Sequence, residues 1–155
     1  MEDETPTLDR LKHRPIYLVP YVAHDGPYAG ATDCMFLSLG WAQYDPRSAS
    51  LKTLRHSGSK WSRQSEEVPL HRAVDLVIVL SRAIRAMLNG RHLNNINLPP
   101  NTLENQPDDV LIQAGAVSSP AEGEAFGREI ASDLVRRRLA KLRDALNELH
   151  ADGAI

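Results

Sequence analysis

Residues 69–89 run P-L-H-R-A-V-D-L-V-I-V-L-S-R-A-I-R-A-M-L-N, and this stretch narrows the available folds more than any other. Proline suits the first helical position, where its missing N–H would lack a partner anyway. Asn89-Gly90 supplies a left-handed stop, and Glu66 and Glu67 just upstream suit the positive end of a helix dipole. At about 100° per residue, His71, Asp75, Arg82 and Arg85 fall on one narrow polar stripe, with Arg72 to one side. Nearly every other position is apolar. A helix apolar around most of its circumference is ordinarily packed on several sides, so a buried central helix over about 69–89 is expected.

The rest of the chain has to supply what covers that helix. Residues 16–22 read as a strand that Pro20 pushes toward a sheet edge. Residues 24–33 are a loop marked by Gly26, Pro27 and Gly30. Over 35–44 the pattern alternates: Met35, Leu37, Leu39 and Trp41 share one face. Small groups on the other face, among them Ser38 and Gly40, leave room for close approach. Asp45-Pro46 turns the chain into a hairpin with arms at 49–56 and 60–68 around Ser57-Gly58-Ser59. Short connections favour pairing in order, which gives an antiparallel meander of three to four strands.

Residues 90–119 are rich in Asn and Pro and read as a long loop, with one short strand over 110–114. Ser119-Pro120-Ala121-Glu122 then fits a capping box that opens a long C-terminal helix over about 120–150. Within it Val135, Leu139, Leu142, Leu146 and Leu149 follow each other at intervals of four and three, a short heptad-like seam. The expected architecture is a single α+β domain over 15–155, preceded by a flexible leader of residues 1–14.

Charge locates the candidate site. The chain carries a net charge of -2 and a pI near 6.3, so any affinity for anions has to be local. Residues 47–72 concentrate Arg47, Lys52, Arg55, Lys60, Arg63 and Arg72 against two acids, Glu66 and Glu67. Cys34 stands alone, which excludes an internal disulfide and a cysteine-based zinc cage, and it reads as a small buried residue. The acidic start M-E-D-E is unlike a secretory signal. The longest apolar run, residues 76–80, is too short for a bilayer. A cytoplasmic setting with no membrane partner is therefore expected. No H-E-x-x-H, G-x-S-x-G or phosphate-cradling glycine loop occurs.

The leading expectation is a binding module for an anionic ligand, a nucleotide or nucleic acid. It would use Arg55, His56, Lys60, Trp61, Arg63, Glu66, Glu67, His71 and Arg72. Arginine offers a planar fork to phosphate, lysine a point charge, and tryptophan a face for stacking. Strand alternation divides these cations between two faces, which counts against a single patch. One alternative is an enzyme using Glu66, Glu67 and His71 for acid–base or metal chemistry on a phosphate-containing substrate. Asp75, one helical turn from His71, would then orient its imidazole. A second alternative is an interaction subunit, a homodimer or part of a larger complex, assembled through the C-terminal helix. No cofactor and no resident metal is implied.

Three runs carry a resemblance: K-W-S-R-Q-S-E-E-V-P-L-H-R at 60–72, G-P-Y-A-G-A-T-D at 26–33 and L-S-L-G-W-A-Q-Y-D at 37–45. In these the chain resembles a family of small uncharacterised bacterial proteins, over roughly residues 15–90. The resemblance implies a bacterial, cytosolic origin and assigns no role to any residue.

Overall fold

The computed structural model describes residues 11–62, 70–90, 96–115 and 119–155. Five strands form one antiparallel sheet: β1 (Arg14–Pro20), β2 (Cys34–Trp41), β3 (Ala49–Arg55), β4 (Ile96–Leu98) and β5 (Val110–Ala114). Their order across the sheet is β3-β2-β1-β5-β4. The first three pair in sequence, as the short connections require. The sheet then extends past β1 through a second hairpin. That hairpin lies inside the stretch expected to be mostly loop, where β5 was anticipated and β4 was not. Gln106 builds its turn: the side-chain amide donates to the carbonyls of Leu98, Pro99 and Asp108 and accepts from the N–H of Thr102 and Leu103.

β1 occupies the middle of the sheet, not an edge. Ile16, Tyr17, Leu18 and Val19 are all buried, so the strand is covered on both faces. Its two prolines cause no loss. Pro20 is the last residue, and Pro15 sits where the pairing with β2 shifts register. His13 is buried and Arg14 opens β1, so the ordered sheet begins inside the expected leader; residues 1–10 lie outside the described residues.

β2 follows its alternation. Leu37, Leu39 and Trp41 enter the core, while Ser38 and Gly40 face the other way and receive His13. The imidazole bonds through Nε2 to Ser38 Oγ at 2.9 Å and through Nδ1 to Ser50 Oγ at 3.1 Å. A Cβ at residue 40 would run into the Arg14 carbonyl oxygen, so only glycine lets β1 lie this close. Of the second hairpin arm expected over 60–68, the described part contributes a bridge between His56 and Trp61 around a turn in which Gly58 has φ +93°. The remainder of that arm is outside the described residues.

The helix α1 (Leu70–Leu88) lies within a residue or so of its expected ends. It is not enclosed on several sides. Leu76, Val79, Ala83, Ile84 and Ala86 are buried, whereas Leu70, Val74 and Leu88 are exposed. Among the described elements its neighbours are β2, β3 and β4 on one side and a second helix along one flank.

That second helix, α2 (Pro120–Ile130), starts at the expected cap, where the Glu122 N–H donates to Ser119 Oγ at 3.2 Å. Phe126 is fully buried against Tyr17 and Trp41, with ring centroids 5.8 and 5.1 Å away. The single long helix expected over 120–150 is in fact two. Ser132 adopts extended backbone, and α3 (Asp133–Ala151) begins after it. Ser-Asp is itself a helix-start signal, which allows the chain to break and restart there.

Two outcomes test this packing. Gly40→Ala should lower the unfolding free energy in urea by about 1–3 kcal/mol, because backbone rather than a side chain blocks the added methyl. Burial, reinforced by Lys52, pushes His13 down to about 4. The unfolded chain takes up this proton near the ordinary histidine value, so the contribution is complete above that value and lost between it and about pH 4. His13→Gln should flatten this part of the stability–pH curve.

Candidate functional site

The loop between β1 and β2, residues 21–33, carries Gly26, Pro27 and Gly30, and Val22 is its one branched aliphatic side chain. A buried carboxylate fixes it instead. Asp25 is wholly inaccessible to solvent. Arg72, in the first turn of α1, donates to it through both prongs, Nε to Oδ1 at 2.9 Å and Nη2 to Oδ2 at 2.8 Å. His71 Nε2 lies 2.8 Å from Oδ1, and Arg72 Nη2 also reaches Thr32 Oγ1 at 3.3 Å. Burial pushes the Asp25 carboxyl up, yet the bonds from Arg72, Thr32 and His71 together hold it below the usual carboxylate range. Gly26 makes the approach feasible: at φ +50°, an added Cβ would stand 3.2 Å from the His71 ring.

A second bidentate pair continues the strip. Arg55, at the end of β3, grips Asp33 through Nε and Nη2 at 2.9 and 2.8 Å. This bonding from Arg55 holds the Asp33 carboxyl low. The His56 N–H donates to the Asp33 carbonyl at 2.8 Å, and the His56 ring meets Trp61 edge-on with centroids 4.9 Å apart. At the opposite end Tyr28, itself exposed, lies 6.0 Å from the His71 ring and 6.0 Å from the Arg72 guanidinium carbon. Behind them the Tyr21 hydroxyl donates to Asp75, whose carboxyl is raised chiefly by burial. Cys34 is buried among these groups, and burial pushes its thiol up to about 12.

Five of the nine expected site residues, Arg55, His56, Trp61, His71 and Arg72, thus fall on one chain of contacts. Lys60 is exposed nearby on the turn, where its carbonyl accepts from the Ser57 N–H. Arg63, Glu66 and Glu67 lie outside the described residues. Two details differ from the expectation. Arg72 is buried and committed to Asp25, so it frames the site instead of facing a ligand. His71 is held by Asp25, not by Asp75, which serves Tyr21. The loop acids Asp25 and Asp33 were not anticipated, although both sit in or beside the G-P-Y-A-G-A-T-D run. Among the described residues no group of three or more His, Cys, Asp or Glu is placed to hold a metal ion. Nor is any described helix long and apolar enough to cross a membrane.

Removing one partner of the buried pair should be costly. Asp25→Asn leaves the Arg72 guanidinium buried without its counter-charge and should destabilise the fold by about 3–5 kcal/mol. Asp25→Asn combined with Arg72→Met should recover much of that loss, and urea unfolding of both variants reads the difference.

A search of curated proteins and of solved structures finds no match to the chain. One family model does match, over residues 4–151, and its description is a family of unknown function. The chain, covered by that match over nearly its whole length, belongs to the family DUF6530.

Proposed function

We propose that this protein is a small cytosolic binding module for an anionic ligand, a nucleotide or a nucleic-acid segment. The contact face comprises Arg55, His56, Lys60, Trp61 and His71, with Arg63 adjoining in sequence. One observation carries this reading. Arg55 is partly exposed, and Asp33 locks its Nε and Nη2 in a fixed plane, one residue before the His56 ring that meets Trp61. Its Nη1 has no bonding partner among the described residues. A guanidinium oriented in advance loses less freedom when it meets a phosphate oxygen. The neighbouring rings offer a surface on which a base can stack, and Lys60 adds a charge that no described acid neutralises. The bacterial, cytosolic setting rests on the sequence resemblance.

Calorimetric titration of the full chain with adenosine phosphates, pyrophosphate and a short single-stranded oligonucleotide tests the reading. At least one should bind, and binding should weaken as salt rises. Arg55→Gln should reduce the affinity by about tenfold, the value of a charge-assisted hydrogen bond. If none of these probes binds, or if Arg55→Gln binds as well as the parent, the assignment fails.

The Asp25–His71 pair favours a second reading, an enzyme acting on a phosphate-containing substrate. A buried carboxylate on Nε2 directs Nδ1 of a partly exposed imidazole away from the pair, an arrangement suited to moving a proton. This reading requires turnover that His71→Gln abolishes while ligand binding persists.

A further inference from the structure

We propose that His71 and Asp75 form a proton-transferring pair that cleaves an RNA strand at a phosphodiester bond. The reaction belongs to the enzyme reading above and stands only if that reading does. Residues one helical turn apart carry their side chains one above the other, so the two groups share a face of α1. Each is held from behind by a buried group and leaves one atom free. A carboxylate only accepts, so in the neutral imidazole Nε2 donates to Asp25 and Nδ1 keeps its lone pair. Nδ1 has no bonding partner among the described residues, and the ring is partly exposed. Asp75 accepts the hydroxyl of the fully buried Tyr21 at Oδ2. A proton on this carboxyl therefore sits on Oδ1, which no described residue bonds.

Environment separates the two carboxyls. Asp25 is held low despite its burial, by the bonds from Arg72, Thr32 and His71. Asp75 is raised by burial despite the Tyr21 bond, and the charges of Glu104 and Asp25 add to the rise. Positive charge on His71 lowers Asp75 in turn, so proton uptake at one group favours release at the other. A base and an acid still need an attacking group. Around them Thr32 accepts from Arg72 and from the Cys34 N–H, Tyr21 is committed to Asp75, and the Cys34 thiol is buried. The 2′-hydroxyl of a ribose brings a nucleophile within the substrate, already next to the phosphorus it attacks. His71 Nδ1 takes the 2′-hydroxyl proton, the O2′–P bond forms, the P–O5′ bond breaks, and Asp75 Oδ1 gives its proton to O5′. The products are a 2′,3′-cyclic phosphate and a free 5′-hydroxyl, and proton exchange with water resets both groups. Arg55, fixed at the other end of the strip, holds a phosphate further along the strand. The exposed ring of Tyr28 beside His71 offers a face to a base.

Incubation of the full chain with a labelled oligoribonucleotide, and with the oligodeoxynucleotide of the same sequence, provides the test. The expected result is cleavage of the RNA alone, ending in a 2′,3′-cyclic phosphate. His71→Gln and Asp75→Asn should each slow it by about a hundredfold or more, with circular dichroism spectra that match the parent's. Uridine 3′-(4-nitrophenyl phosphate) has a leaving group that needs no proton. On that substrate Asp75→Asn should lose less than about tenfold, while His71→Gln keeps its full effect. A merely structural role for Asp75 would slow both substrates alike, and that result overturns its assignment as the acid. Cleavage that His71→Gln leaves unchanged overturns the proposal. Intact RNA alongside turnover of adenosine triphosphate or 4-nitrophenyl phosphate through His71 overturns the RNA assignment and leaves the enzyme reading standing. Intact RNA with no turnover of either compound overturns both.

Discussion

A carboxylate shut away from water, with a guanidinium locked across it, determines how this protein is put together at one end of its sheet. The Asp25–Arg72 pair joins an irregular loop to the first turn of α1 across 47 residues of sequence. Taking both charges out of water costs much of what their attraction returns, so the pair adds little net stability. Its effect is geometric. Only one placement of the loop against the helix satisfies both oxygens and both nitrogens, and glycine at residue 26 is what lets the backbone come close enough.

The neighbouring groups inherit that geometry. His71 is oriented because Asp25 is, and Thr32 is drawn in through Arg72. Asp33, a residue further on, fixes Arg55 at the end of β3. The loop thus acts as a row of acids that position cations contributed by the helix and the sheet. Some of those cations are consumed as framework and others remain at the surface. In a basic cluster read from sequence alone, the two kinds look identical.

That distinction also separates what the sequence disclosed from what it withheld. The start and end of α1, the alternation of β2 and the Ser119 cap all depend on neighbours a few residues apart, and each was legible. The five strands of the sheet required more. β4 is three residues long, too short for any alternation to register. The position of β1 at the centre depends on β5, nearly a hundred residues later in the chain. The local rule for His71 pointed to Asp75 one turn away, whereas the actual partner lies 46 residues upstream. Helix continuity past Ile130 misled in the same way, because a periodic apolar pattern persists across a break in the backbone. The apolar circumference of α1 promised neighbours on several sides, but the sheet and α2 leave Leu70, Val74 and Leu88 exposed.

Cys34 lies beneath the same strip, buried and with its thiol held protonated at ordinary pH. Peroxides and alkylating reagents attack the thiolate, and they need access to it. The sole cysteine of the sequence therefore offers neither charge nor approach. In the folded chain this thiol is quiet toward such reagents, and loss of that quiet would report that the loop above it had come away.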